Sequence, residues 1–489
     1  MIRQYLAFDL GAQSGRAMLG RFRDGAIGLE ELYRFPNEPV RQNGAIQWDI
    51  LRIWLEMKRA IARAESQSLE SIGVDAWGVD YALIGSRGNL LENPYHYRDA
   101  RNDGMMEAIF ERVSRERLYS ITGIQFLQIN TLVQLFAACR LTPEVVDAAR
   151  SLATIPDLLN YWLTGRLCSE YTVATTTQFV QASTRTWATK MMEEIGLPSR
   201  LLTPIVEPGT VVGPLRADVS SALAGTPVIA PASHDTASAV ASVPACGNTA
   251  FISSGTWSLL GTELRAPIMT TAARDSNFTN EGGVNGTIRL LKNITGLWVL
   301  HACRQSWAAS GEDLDHDALI EAASDRALAF RSLIDPDHHM FLNPDHMPDR
   351  IREYCRQTGQ PEPATHASLV RTILESLAFK YRAVLESLEK LTGTPIEVIR
   401  IVGGGSRNRL LNQFTADATG RSVVAGPVEA TALGNIAVQM VATGAVGSIA
   451  EARAAIERSF PVERFEPSAA DRWDAEYRRF QEYMEFSCA

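Results

Sequence analysis

The chain has 489 residues and a mass of 53.7 kDa, room for two or three domains at the usual ~150 residues each. Hydrophobic residues make up 46% and charged residues 21%, ordinary globular usage that excludes a disordered or collagen-like chain. Lys and Arg number 47 against 56 Asp and Glu, a net charge of −9 with no basic block, so nucleic acid is not an expected partner.

The opening run from Met1 carries a carboxylate at Asp9 where a secretion signal needs an apolar core, so no signal is expected. Small or polar residues interrupt every apolar run before it could span a bilayer. Six cysteines (Cys139, Cys168, Cys246, Cys303, Cys355, Cys488) are scattered, without a C-x-x-C pair or a zinc-type histidine pattern. A reduced, cytoplasmic chain without a structural metal is expected, its cysteines acting as small buried hydrophobes.

In chain order, Tyr5 to Gly20 reads as strand, small-residue turn, strand. Arg52 to Ala64 is an amphipathic helix and Ser71 to Asp75 a strand, an alternation that predicts an α/β fold. Ala250 to Gly261 repeats the first hairpin. Two such hairpins half a chain apart predict two related lobes with a cleft between them, each opening on a turn whose backbone N–H groups can face a phosphate. The boundary is expected near Pro244, in a segment of small residues and proline. The last ~30 residues read as a helix packed back on the body.

Between Val219 and Thr262 the only formal charge is Asp235. A carboxylate isolated among small apolar residues is desolvated and becomes a better proton acceptor if a substrate hydroxyl or a metal is in reach. Ser233 or Asp235 would equally serve as cap of a helix beginning at Thr236, and caps are far commoner than catalytic bases. Asp9, at a strand end before Gly11, Ser14 and Gly15, can hold hydrated Mg²⁺ beside nucleotide phosphates, or can be an ordinary turn aspartate. Phosphate donors, a cation and a base are together what phosphoryl transfer requires.

A third glycine-rich turn, Gly403-Gly404-Gly405, follows an apolar strand and precedes a helix over 410–418. That is an anion or nucleotide site, or else tight strand–helix packing. The dinucleotide fingerprint fails, because its third glycine would fall at Asn408. None of the five lysines follows a glycine, which excludes a Walker-type NTPase. Asp75, Trp77, Gly78 and Asp80, with Tyr97 to Arg101 soon after, supply the aromatic faces and carboxylates of sugar recognition, though Trp77 alone reads as core. Asn293 alone reads as a helix cap.

Asp-Leu-Gly-Ala-x-Ser-Gly-Arg at 9–16, Asp-x-Trp-Gly-Val-Asp at 75–80, Ser-His-Asp-Thr-Ala-Ser-Ala-Val at 233–240, Ser-Ser-Gly-Thr-Trp-Ser at 253–258 and Ile-Val-Gly-Gly-Gly at 401–405 together resemble the FGGY carbohydrate kinases. The likeness runs nearly end to end, including Tyr-Arg-Asp-Ala-Arg at 97–101, Asn-Glu-Gly-Gly at 280–283 and Gly-Pro-Val-Glu-Ala at 426–430.

The resemblance implies two actin-like, ribonuclease-H-like lobes, 1–244 mainly for sugar and 245–489 mainly for ATP. It implies Asp235 as the general base on a sugar hydroxyl, Mg²⁺ held with Asp9 and Asp235, and phosphate contacts from Ala12, Gln13, Ser14, Gly15, Arg16 and Thr256. Gly403 and Gly404 would lie under the nucleotide, and Gly78, His234, Thr236 and Asn293 would meet the sugar. His301 would take the nucleotide side, where the nearest branch has Gln. Gln134-Leu135-Phe136, in place of the wider family's Lys-Leu-x-Trp, points to the branch that phosphorylates L-rhamnulose at the 1-hydroxyl. A monomer or homodimer is the expected state. The rivals are a kinase for L-fuculose or L-xylulose, an actin- or chaperone-like ATPase and, weakest, a nicotinamide dehydrogenase.

Overall fold

The structure is a computed structural model that describes residues 2–244, 247–312, 314–342 and 344–486, so Cys246 and Cys488 lie outside the described residues. Contacts divide the chain into two units. The first comprises Met1–Pro244, Glu263–Leu290 and Ala430–Phe460, the second Ala245–Thr262, Leu291–Glu429 and Pro461–Ala489.

The first unit is built on a six-stranded sheet of β1 (Arg3–Leu10), β2 (Ser14–Arg23), β3 (Ala26–Pro36), β4 (Leu69–Ala76), β5 (Thr210–Pro214) and β6 (Pro227–Ala230), in the spatial order β3-β2-β1-β4-β6-β5. β1 pairs antiparallel with β2 and parallel with β4. Tyr5, Leu6, Ala7 and Phe8 are all fully buried, as a central strand covered on both faces requires. The expected amphipathic helix forms at Ile50–Ala64, where Asp49 accepts the Arg52 N–H at 3.1 Å and Ile50, Ile53, Met57, Ala60, Ile61 and Ala64 make the buried stripe. The helix Ala430–Ala442 also belongs to this unit and packs on β1 and β4.

A second sheet, of seven strands, repeats the plan. β7 (Thr249–Ser254), β8 (Trp257–Leu264), β9 (Ile288–Thr295), β10 (Val398–Val402), β11 (Ser422–Ala425) and β12 (Glu463–Phe465) run in the order β9-β8-β7-β10-β11-β12. Again the first strand pairs antiparallel with its hairpin partner β8 and parallel with the next, β10, and an antiparallel edge strand, β12 on β11, closes the order as β5 does on β6. The echo read from the two hairpins therefore extends to whole sheets. The terminal helix Ala470–Phe486 docks through Trp473, whose ring lies 4.8 Å from those of Phe330 and Phe379 and 5.2 Å from Phe414. Cys303 and Cys355 are buried and Cys139 and Cys168 half-buried, all four as free thiols. No helix among the described residues is long and apolar enough to cross a membrane.

Candidate active site

In parallel α/β sheets the carboxyl ends of the strands gather chemistry at one edge, and the register of the first unit does so with acids. Asp9 of β1 sits directly opposite Asp75 of β4. The next residue, Ala76, donates its N–H to Ser233 O at 2.9 Å and bridges to His234. Asp9, Asp75 and Asp235 are thereby brought to neighbouring positions. Asp9 is ion-paired with Arg16, its cross-strand partner. The turn between them is shaped by the Gly11 N–H to Ser14 O bond at 3.0 Å and by Asn37, whose Nδ2 donates to Gly11 O at 2.9 Å. Gly15 is required sterically, since a Cβ there would overlap the Phe35 ring.

Asp75 is fully buried. Burial, and then the neighbouring Asp9, push its carboxyl well above the usual range, with Asp235 adding to the repulsion. Its Oδ2 accepts from Asn435 at 2.6 Å, while Oδ1 is buried with no hydrogen-bond partner. Asn435 is itself held by Gln439 at 2.7 Å.

Asp235 opens the helix Asp235–Ala241, whose cap is the backbone of His234 and not Ser233 or Asp235 as the cap reading expected. For Asp235 the correction has a local cause. The Asp235 side chain turns onto its own helix, its Oδ1 accepting from Thr236 N at 2.5 Å and Thr236 Oγ1 at 3.2 Å, with His234 Nε2 at 3.5 Å. Every close donor approaches Oδ1, and among the described residues none bonds Oδ2. Desolvation raises the Asp235 pKa against the opposing effect of His234 and the Thr236 donors, yet the side chain keeps 29% of its surface exposed. One oxygen is anchored and the other is left accessible, in surroundings that raise its proton affinity.

The two residues before Asp235 are suspended from Glu170 and Thr172: Ser233 N donates to Glu170 Oε2 at 3.1 Å and His234 N to Thr172 Oγ1 at 3.2 Å. Gly78 closes the same edge, and a Cβ there would come within 3.1 Å of Thr176 and 3.2 Å of His234 Nε2. Val79, next to it, holds φ at 66°, uncommon for a β-branched residue, and is clamped by Thr176 Oγ1 at 3.1 Å and Thr131 Oγ1 at 2.5 Å. Trp77 is core, as the reading of that residue alone expected. Its Nε1 donates to Asp80 at 3.0 Å and its ring lies 4.4 Å from that of Trp48, which donates to the same carboxylate at 2.6 Å.

In the second unit Thr256 lies in the turn between β7 and β8. Gly255 and Thr256 accept from Leu297 at 3.2 Å and Trp298 at 3.0 Å, tying the turn to the helix Trp298–Ala309 that carries His301. His301 lines a cavity of about 190 Å³ with Arg304, Gln305 and Trp307. Desolvation and Arg304 hold the imidazole below its ordinary pKa. Asn293 is a residue of β9, not the helix cap expected of it alone; the cap of the following helix is Leu297. After β10, Gly403 adopts φ 85°, a Cβ on Gly405 would overlap Ser254 Oγ, and Gly404 has nothing within 4 Å of where its Cβ would be. Tight packing and open space thus sit on adjacent glycines. The Arg409–Thr419 helix begins one short turn later, with Asn408 capping Leu411 N at 3.0 Å.

Sequence reasoning placed Asp75 among the carboxylates of sugar recognition, not beside Asp9, and gave Glu170 no role. Two apolar strands each ending in Asp, Phe8-Asp9 and Val74-Asp75, were the available signal for the first.

Buried carboxyls give the first unit a pH signature. Burial pushes Asp80 up to about 6, Glu170 to about 7 and Asp157 to about 8. Each raised group stabilises the fold below the ordinary carboxylate range, and that stability is lost as pH rises through its folded value. His96, pushed down to about 3 by desolvation and Arg98, has the opposite sign, its contribution being lost as pH falls below about 6.5. Above that value only the carboxyls act, so the denaturation midpoint is expected to fall between pH ~6.5 and ~8.5. Asp157→Asn should flatten that fall; a slope equal to wild type removes Asp157 from the explanation.

Compared with solved structures, the chain superimposes on a gluconate kinase from Lactobacillus acidophilus with a TM-score of 0.81 at 16% identity, over 99% of this chain and 98% of that one. A glycerol kinase from Plasmodium falciparum with ADP gives 0.78 at 16% identity, over 100% and 99%. The fold is therefore the two-domain, actin-like fold of sugar kinases. The models of the FGGY family of carbohydrate kinases match it, the N-terminal domain at residues 4–241 and the C-terminal domain at 250–443, and the chain belongs to that family of ATP-using enzymes. Curated relatives include the rhamnulokinase of Bacteroides thetaiotaomicron, 46% identical over 487 residues, 98% of this chain and 99% of that protein. The rhamnulokinase of Pectobacterium atrosepticum is 43% identical over 486 residues, 98% and 96%, and that of Bacillus subtilis 39% over 473 residues, 96% of each.

Proposed function

We propose that this kinase transfers the γ-phosphoryl group of ATP to the 1-hydroxyl of L-rhamnulose, with Asp235 as general base. The observation that carries the mechanism is the two-sided Asp235 carboxylate, anchored at Oδ1 and accessible at Oδ2. The hydroxyl oxygen forms a bond to the γ-phosphorus, the bond from that phosphorus to the ADP oxygen breaks, and the hydroxyl proton passes to Oδ2. The Thr236 donors hold the carboxylate still while this happens. Full-length similarity to proteins named rhamnulokinase supports the choice of sugar.

In this reading Gly78, His234, Thr236 and Asn293 bound the sugar, and residues 1–244 chiefly serve it. Ala12, Gln13, Ser14, Gly15, Arg16, Thr256, His301, Gly403 and Gly404 serve the nucleotide, and residues 245–489 chiefly bind it. A panel of ketoses with ADP release as the signal tests the substrate. L-rhamnulose is expected to give the highest kcat/KM; preference for L-fuculose or L-xylulose, or release independent of sugar, overturns the proposal.

Mg²⁺ fits the acid edge. Such an ion needs only one or two carboxylates, with water and substrate phosphates completing its shell. Asp75 carries an unpartnered buried oxygen and the repulsion of two neighbouring acids, both relieved by a cation. Asp9 and Asp75, with Asp235 near, would hold it; when bound it neutralises phosphate charge as the γ-phosphoryl group moves. Asp75→Asn is accordingly expected to raise the thermal midpoint without Mg²⁺ and to raise the Mg²⁺ concentration for half-maximal activity about 10–100-fold. An unchanged Mg²⁺ requirement would remove Asp75 from the site.

A further inference from the structure

The long helix His366–Thr392 of the second unit carries a buried ammonium, Lys380, and next to it a fully buried phenol, Tyr381. A charge so placed is costly unless it is paired, and Lys380 Nζ lies 2.8 Å from Asp335 Oδ1 and 3.0 Å from Asp337 Oδ2. The other oxygen of Asp337 accepts the N–H of Thr295, at the end of β9, at 2.7 Å. We infer that Lys380 and Asp337 are positioning residues for the nucleotide: through Thr295 they fix the turn that carries Thr256.

Past Thr295, Gly296 lies so close to that turn that a Cβ on it would come within 2.5 Å of Ser258 Oγ and 2.7 Å of Ser258 N. The next two N–H groups, of Leu297 and Trp298, donate to Gly255 O at 3.2 Å and Thr256 O at 3.0 Å. A shift at Thr295 is therefore passed to the turn by close packing and by two hydrogen bonds. Tyr381 reaches the same turn directly, its hydroxyl 2.7 Å from Ser258 Oγ. Consecutive residues of one helix thus hold the turn at two points, Tyr381 by contact and Lys380 by way of Asp337 and Thr295.

The segment that brings the two acids to Lys380 is fixed to the same helix. Phe330 N donates to Glu375 Oε2 at 2.8 Å and Ile334 N to Ser376 Oγ at 2.9 Å, and Asp335 Oδ1 accepts Asp337 N at 3.1 Å. The acid at 337 follows from its neighbours. Both groups that meet its oxygens, an ammonium and a backbone N–H, are donors, so an amide there satisfies one and turns its own NH₂ against the other. Asp337→Asn thus breaks the link while Lys380 keeps Asp335. The inference deepens the reading of Thr256 as a nucleotide contact and rests on it.

The experiment is calorimetric titration of the full-length protein with ADP and Mg²⁺, which needs no sugar and so does not depend on which ketose is the substrate, followed by steady-state kinetics. Asp337→Asn is expected to raise the Kd for ADP and the KM for ATP about 10-fold, short of the ~100-fold that an ångström of misplacement can cost, with the KM for sugar unchanged. Lys380→Met should do the same. The double variant should lose no more than the worse single one, because the two break one chain of contacts. A merely structural role lowers the active fraction, and hence kcat alone, with the Kd for ADP at its wild-type value; that result overturns the inference, as do additive losses in the double variant. If Lys380→Met does not fold, Asp337→Asn decides by itself. Thr256→Val is titrated alongside. ADP binding weakened in Thr256→Val but not in Asp337→Asn sinks only the inference; binding unchanged in both sinks the nucleotide reading of Thr256 with it.

Discussion

Asp235→Asn is expected to lower kcat by about 10²–10⁴-fold, the usual worth of a general base, while sugar and nucleotide binding change little. The Thr236 N–H, 2.5 Å from Oδ1, needs an acceptor, so the amide oxygen of the variant takes the Oδ1 place. The amide NH₂ then occupies the Oδ2 place and offers a donor where the reaction needs a basic lone pair. Shape, helix and anchoring survive; the proton acceptor does not. Steady-state kinetics with titrated ligand binding separates the two effects, and near-normal turnover removes Asp235 from the mechanism.

The second large effect lies away from the chemistry. Gly434 faces the helix Asp235–Ala241, and a Cβ there would sit inside the van der Waals radius of the Ser238 carbonyl oxygen. Backbone is a poor partner to push aside, and the helix Ala430–Ala442 is also fixed by the Asn435–Asp75 bond. Gly434→Ala is therefore expected to cost about 3 kcal/mol or more, beyond the usual range for a surface change, and to lower kcat by shifting the segment that begins with Asp235. Gly404→Ala is the control, because its Cβ meets nothing within 4 Å. Stability there should stay within ~0.5 kcal/mol of wild type while the KM for ATP rises. Denaturant unfolding of both variants checks the contrast; equal stabilities would contradict it.

The sequence carried the sheet plan well, because the strands that form it are central. Tyr5 to Phe8 and Ala250 to Ile252 are apolar runs buried on both faces, and their hairpins recur in letters as well as in space. Asp235 was legible for a related reason, a single charge in a long neutral stretch. What local reading got wrong depends on tertiary pairing. Asn293 looked like a cap because a helix follows five residues later, but it belongs to β9, whose partner strands are remote in sequence. The cap reading of Ser233 failed because the neighbouring backbone is recruited by Glu170 and Thr172, some sixty residues upstream. Asp75 shows its meaning only through the register that sets it beside Asp9.

The most direct test of the account is phosphorus NMR of a reaction containing the protein, ATP, Mg²⁺ and L-rhamnulose. The account predicts that the γ-phosphate signal disappears in step with a new phosphomonoester on the C1 oxygen, and that omitting the sugar stops both. Inorganic phosphate released at the same rate with or without sugar, and no sugar ester, would contradict it.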